Sequence, residues 1–138
     1  MEQQRMKELT AQHVAAEIAG DSAAAVSMYT ADVEHDVVGW PSGPVHGPAA
    51  AQGFYDQLIS TLDTERMTPV REQFGEDFCV VEHECTAVIN GEFMGIPGSG
   101  RRVTFRMLHV WDFNNDAISR ENVWLDGGAI AAQLTAPA

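Results

Sequence analysis

"RMLHVWDF", residues 106–113, alternates as a strand does: Met107, Trp111 and Phe113 fall at every second position, and His109 stands among them on the same face. An imidazole in an apolar stripe needs a reason, because burying a polar group without partners is costly. Earlier in the chain, "FCVVEHECTAVIN" (78–90) repeats the pattern. Cys79, Val81, His83, Cys85, Ala87 and Ile89 share one face, while Glu82, Glu84 and Asn90 take the other. The histidine-bearing face is therefore the buried one.

The runs Phe78–Asn90 and Arg101–Phe113 are joined by "GEFMGIPGSG" and read as a hairpin. One register pairs Ile89–Val103, Ala87–Phe105, Cys85–Met107, His83–His109, Val81–Trp111 and Cys79–Phe113. Every pair but the histidines is then apolar with apolar, and the two imidazoles stand with Cβ atoms about 5 Å apart. A slip by two residues keeps the faces and sets the histidines diagonally. In either register they are neighbours.

The tight turn "NND" leads to a further strand, Ala117–Asp126. Here Glu121, Val123 and Leu125 alternate with Arg120, Asn122 and Trp124, and alternation alone leaves either set facing inward. If the first set does, Glu121 is a carboxylate near the histidine pair. Met67–Gly75 reads as one more strand. Towards the amino terminus, Glu2–Ala19 has helical spacing, with Met6, Leu9, His13 and Ala16 on one arc and Val14 and Ile18 flanking it. "GD" at 20–21 ends it and caps a second helix, Ser22–Tyr29. "DVEHDVV" (32–38) is a strand with Val33, His35 and Val37 on one face, "GWPSGPVHGP" (39–48) a loop, and Ala49–Leu62 a helix carrying Phe54, Leu58 and Ile59. "GAIAAQL" closes the chain as a short helix. Two helices, a strand, a helix and a long meander make an α+β domain whose curved sheet would enclose a conical pocket. His13 and His35 would point into the same interior as His83 and His109, leaving His46 in a plain loop.

A chain of 138 residues without repeat or linker is a single domain, residues 1–138, with one core. Its formal charge of −12, from 8 basic and 20 acidic residues, argues against nucleic acid or an anionic membrane as partner. The sequence has neither a membrane-spanning run nor a signal peptide, which points to the cytoplasm. Cys79 and Cys85, on one strand at ~3.3 Å per residue, lie beyond disulfide reach and read as buried thiols in a reducing compartment.

Each histidine has a plain reading as a hydrogen-bonded core residue, and Glu121 beside Arg120 could be an ordinary surface carboxylate. Burying two adjacent imidazoles, however, asks for a task. Desolvation and mutual repulsion push both pKa values down, so the pair is uncharged at neutral pH and can take and give protons. That suits enolisation, aldol closure, dehydration or epoxide opening. Met107, Trp111, Phe105 and Trp40 would wall in a flat apolar ligand. The chain has no nucleophile elbow, phosphate-binding glycine loop or local zinc spacing, so no metal is expected.

Residues 91–126, with "AGDSAAAVSMYTADVEHD" (19–36) and "GPAAAQGFYDQL" (47–58), resemble the SnoaL-like polyketide cyclases. These belong to the superfamily of ketosteroid isomerase, limonene-epoxide hydrolase, scytalone dehydratase and nuclear transport factor two. The resemblance implies a ketosteroid isomerase-like fold: a cone-shaped barrel of strongly curved mixed sheet around N-terminal helices. It also implies a homodimer and a cofactor-free pocket for an apolar substrate. By the same resemblance His109 takes the place of the isomerase's protonated aspartate, His13 lies near its tyrosine, and His83 with His109 is similar to the dehydratase's histidine pair. Glu121 and Val123 would face inward. The acid–base aspartate that cyclases and epoxide hydrolases resemble each other in keeping on the last strand is Val123 here. The isomerase's base position falls close to Val37, with Asp36 one residue away. The missing acid's work would pass to Glu121 or a histidine.

The expectation is a cofactor-independent acid–base enzyme acting on a small polyketide-like or polycyclic substrate by aldol cyclisation or isomerisation. Its catalytic residues would be His83, His109 and Glu121. His13, His35, Asp36, Trp40, Phe54, Phe105, Met107, Trp111 and Val123 would contact the substrate. The rivals are a dehydratase or epoxide hydrolase in the same pocket, and a non-catalytic binder of hydrophobic ligands.

Overall fold

The computed structural model describes residues 1–137. Its helices are α1 (Gln3–Ile18), α2 (Ser22–Val26), α3 (Pro48–Thr61) and α4 (Gly127–Thr135). The strands are β1 (Tyr29–Val37), β2 (Val45–His46), β3 (Leu62–Phe74), β4 (Phe78–Ile89), β5 (Glu92–Phe93), β6 (Ile96–Pro97), β7 (Arg101–Asn114) and β8 (Ala117–Leu125). Six strands form one strongly curved sheet in the order β2-β1-β8-β7-β4-β3, and β5 with β6 forms a small hairpin of its own. Only β1 and β8 run parallel, so the sheet is mixed.

Local chemistry sets the element ends. Gly20, at φ 72°, closes α1: its N–H donates to the Glu17 carbonyl at 3.0 Å, and the N–H of Asp21 to that of Ala16 at 2.9 Å. Asp21 then caps α2 through the Ala24 N–H at 3.0 Å, and Asp126 does the same for α4 through Ala129. Asn115 and Asp116 both have positive φ, the geometry of a two-residue hairpin turn between β7 and β8. β3 carries Pro69 at the sheet edge, where a missing N–H costs least, and its register shifts beside that proline.

Of the two registers the sequence allows, the hairpin takes the one that sets the histidines diagonally. Val81 stands opposite His109, His83 opposite Met107, Cys85 opposite Phe105 and Cys79 opposite Trp111, a slip of two residues. Alternation is blind to an even slip, because both registers bury the same faces. The connection decides it: Gly100 N–H bonds the Ile89 carbonyl at 3.0 Å, and Gly98 N–H the Gly91 carbonyl at 2.7 Å. Gly98 packs so close to the Ile89 carbonyl that a Cβ there would collide with backbone. The loop 39–48 also holds the short strand β2, and β3 starts five residues earlier than its sequence pattern suggests.

A bulge in β8 explains why alternation could not orient that strand. Asp112 pairs with Arg120 but Phe113 with Ile118, which leaves one extra residue in β8. Ile118 and Glu121 are both fully buried although their parity differs. The core under the sheet is built from α1 (Met6, Leu9, Val14), α3 (Ala51, Tyr55) and the inward rows of β4, β7 and β8. Cys79 and Cys85 are free and buried, and burial pushes both thiols up to about 12. No helix among the described residues is long and apolar enough to cross a membrane.

Candidate active site

The inward row of β8 places the Glu121 carboxylate, with no exposure to solvent, at the deep end of the sheet's concave face. Its Oε1 accepts from Tyr29 Oη at 2.9 Å and from Trp111 Nε1 at 2.7 Å, and lies 2.9 Å from His13 Nε2. Its Oε2 accepts from Tyr55 Oη at 2.9 Å and lies 3.6 Å from His35 Nε2 and 4.0 Å from His109 Nε2. Trp111 meets Glu121 because the two are cross-strand partners.

The hydrogen bonds fix where the protons sit. His13 Nδ1 faces the Ala25 carbonyl at 2.8 Å and its Nε2 faces the Glu121 carboxylate, so both nitrogens must donate and the ring is an imidazolium. Burial works against that charge, but Glu121 overcomes it and raises His13 to about 9. Burial would likewise raise Glu121, yet the charge and hydrogen bond of His13, with the hydrogen bond of His35, hold it well below the usual carboxylate range. Burial, reinforced by the Glu121 charge, holds the phenols of Tyr29 and Tyr55 well above their usual value, so both remain donors.

His83 and His109 touch through their Nδ1 atoms at 3.1 Å, with ring centroids 4.9 Å apart and planes at 88°. His109 also stacks flat on Trp111, with centroids 4.4 Å apart. The Glu121 carboxylate, 4.0 Å from His109 Nε2, favours a proton on that nitrogen, which leaves His109 Nδ1 to accept from His83. Burial lowers His109 to about 3 and His83 to about 4; Glu121 opposes both shifts, and the neighbouring histidines push His109 further down. Both rings are neutral at physiological pH.

An apolar cavity lies against this polar corner. Hydrocarbon walls from Val37, Leu58, Phe105, Met107, Val123 and Leu125 face a polar end formed by His35, Tyr55, His109, Glu121 and Glu17. The centre of a water-sized sphere has about 40 Å³ in which to move. A single water needs roughly 10–15 Å³ by that measure, so the space suits a small ligand.

The structure brings together most of the residues marked by sequence, in different positions. His109, Glu121, His35, Phe105, Met107 and Val123 line the cavity, whereas His83 backs His109 from behind and opens on a cleft between α1 and β3–β4. His13 and Trp111 contact Glu121 from outside the cavity. Phe54 packs on His35, with centroids 5.1 Å apart, and Trp40 on Phe54 at 5.9 Å. Trp40 belongs to a shallower groove with Phe93 and Met94 that shares Val37 and Leu125 with the cavity. Asp36 points to the opposite face of β1, where Asn122 Nδ2 donates to it at 3.4 Å, because neighbouring strand residues alternate sides. His46 is exposed, 3.4 Å from Glu34.

Sequence reading missed Tyr29, Tyr55 and Glu17. Signals existed for each: Tyr29 has the parity of His35, Tyr55 forms a helical arc with Leu58 and Ile59, and Glu17 follows His13 by one turn. Glu17 is buried beside the corner, and that burial, with the Glu121 charge, raises its carboxyl above the usual range against the pull of His13. His13, Glu17 and Glu121 bring one donor atom each within 4.8 Å of one another. A cation could bridge that spacing only by displacing the His13 Nε2 proton that already binds Glu121.

Fold and site together define a curved α+β cone closed on a buried polar corner. A family model for the SnoaL-like domain matches residues 10–121, and the chain belongs to that family. A presumed polyketide cyclase from Xanthomonas campestris pv. campestris superposes with TM-score 0.84 at 19% identity, covering 96% of this chain and 98% of the other. TsrD from Streptomyces laurentii gives 0.83 at 18% identity over 99% of each chain. A LEH-like epoxide hydrolase from M. tuberculosis gives 0.71 at 12% over 92% and 86%. At these identities the likeness is one of fold. No curated protein matches by sequence.

The neutral histidine pair has a pH signature. Both rings stay unprotonated in the fold to about 4 and about 3, but in the unfolded chain they take up protons below about 6.5. Stability from this source therefore falls as pH drops from 6.5, by up to ~1.4 kcal/mol per pH unit for each ring. His13, raised to about 9, has the opposite sign: its contribution is complete below about 6.5 and is lost as pH rises through about 9. Melting curves of wild type and His83→Gln between pH 7 and 4.5 should show the smaller loss in the variant. In NMR titrations His83 and His109 should both titrate below 6.5, and replacing His83 should raise the His109 value. Independent, near-normal titrations would contradict the pair.

Proposed function

We propose that this SnoaL-like domain is a cofactor-independent acid–base enzyme acting on a small apolar substrate, by aldol-type cyclisation or isomerisation. The observation that carries the reading is the one-sided chemistry of the cavity: hydrocarbon on most walls, and one corner where fixed donors and acceptors meet. A pocket that only holds an apolar ligand has no use for a buried carboxylate and four buried histidines. Glu121 orients the corner rather than taking protons, because its hydrogen bonds and the His13 charge stabilise the ionised form and weaken it as a base. His109 offers a neutral N–H to the cavity, suited to an oxygen on which negative charge develops, with His83 fixing its tautomer.

The cavity's size favours a single-ring or open-chain ligand over a polycycle. The polyketide cyclase likeness supports the chemistry, and the epoxide hydrolase likeness keeps dehydration and epoxide opening as alternatives in the same pocket. A homodimer and a reducing cytoplasmic setting, consistent with free buried thiols, complete the reading; a sedimentation mass of 15.0 kDa would remove the dimer.

A panel of small enolisable ketones, β-hydroxyketones and epoxides, assayed with wild type and His109→Ala, tests the reading. A catalyst predicts turnover of at least one class, with kcat falling ~10²-fold or more in the variant and ligand affinity largely kept. Ligand binding without turnover of any class would identify a binding domain.

A further inference from the structure

Among the described residues, the buried side-chain polar atoms without a hydrogen-bond partner are Glu17 Oε2, Thr30 Oγ1 and His35 Nδ1. Two of the three belong to residues lining the same cavity, Glu17 from α1 and His35 from β1. Around them Glu121, Tyr55 and His13 bond one another. His35 Nε2 lies 3.0 Å from Tyr55 Oη, whose own proton goes to Glu121 Oε2 at 2.9 Å. The Tyr55 oxygen therefore accepts, His35 Nε2 carries the ring proton, and Nδ1 is left with a bare lone pair on a side chain 1% exposed. Glu17 has the complementary character. Its side chain is 11% exposed, with Oε1 3.9 Å from His13 Nε2. His13, His35, Tyr55 and Glu121 face it, and burial with the Glu121 charge raises its carboxyl above the usual range. Native proteins rarely leave such atoms orphaned, and a pair sharing one cavity points to a ligand.

Resting on the enzymatic reading above, we propose that Glu17 and His35 are its reacting acid and base, and that the substrate is a small carbonyl compound with a C–H bond next to the carbonyl. His35 Nδ1 removes the proton from that carbon. The C–H electron pair forms the carbon–carbon double bond, and the carbonyl π pair moves to oxygen, which takes the Glu17 proton. The products of the step are an enol, an imidazolium at His35 and a carboxylate at Glu17. Return of the His35 proton to a carbon and of the enol proton to Glu17 resets both residues and leaves the substrate isomerised, or exchanged with solvent hydrogen. The confined volume favours this proton relocation over hydrolysis, which would need a water seated beside the ligand.

Cyclohexanone in D2O, followed by the NMR loss of its α-hydrogens, is the probe. Wild type should speed the exchange above the buffer rate. Glu17→Gln and His35→Gln, the latter keeping an amide donor towards Tyr55, should each slow it ~10²-fold or more, with unchanged far-UV circular dichroism. If a variant fails to fold, ¹³C NMR of the wild type should find Glu17 titrating above the usual carboxylate range, and ¹⁵N NMR should place the His35 ring proton on Nε2; an ordinary Glu17 titration or an Nδ1–H tautomer overturns the pair. Exchange that survives both substitutions means that an ordered water satisfies these atoms; it overturns the pair and leaves the enzymatic reading standing. Wild type that is inert towards cyclohexanone but turns over epoxides overturns the substrate class alone. Inertness towards the whole panel overturns both.

Discussion

A single buried carboxylate organises this molecule. Removing an ion such as Glu121 from water costs several kcal/mol unless partners replace the lost hydration. Here they come from four other elements: His13 on α1, Tyr29 on β1, Tyr55 on α3 and Trp111 on β7. The corner is satisfied only when those elements close on β8 together, so the charge ties the two halves of the chain. Deleting one member of the His13–Glu121 pair leaves the other charge buried and uncompensated, a loss of about 3–5 kcal/mol.

The same constraint separates the site's histidines into kinds. His13 sits between a carbonyl and a carboxylate and is charged. His83 and His109 face each other under the sheet, where burial outweighs the pull of Glu121, and are neutral. His35 has one nitrogen committed to Tyr55 and one without a partner. Three environments a few ångströms apart thus give a cation, a neutral donor pair and a free lone pair, the kinds of group from which acid–base chemistry is assembled.

Much of this was legible in the sequence. Strict alternation in 78–90 and 101–113 gave the buried face, and the helix arc placed His13 inside. The register was not legible, because an even slip preserves every face and the deciding contacts involve backbone around Gly98 and Gly100. The orientation of β8 was hidden by its bulge, which lets Ile118 and Glu121 both point inward. Glu17 was not singled out. Its burial depends on the sheet wrapping back over α1, a long-range packing effect that helical spacing does not report.

The account depends most on the charge state of the His13–Glu121 pair. ¹⁵N NMR of labelled protein at pH 8, with His13→Gln to assign the signal, reads it directly. Protons on both His13 nitrogens, lost only as pH rises through about 9, would be the imidazolium held by an ionised Glu121. A neutral His13 ring at pH 8 would mean that the carboxylate is not paired as described and that the corner is organised differently.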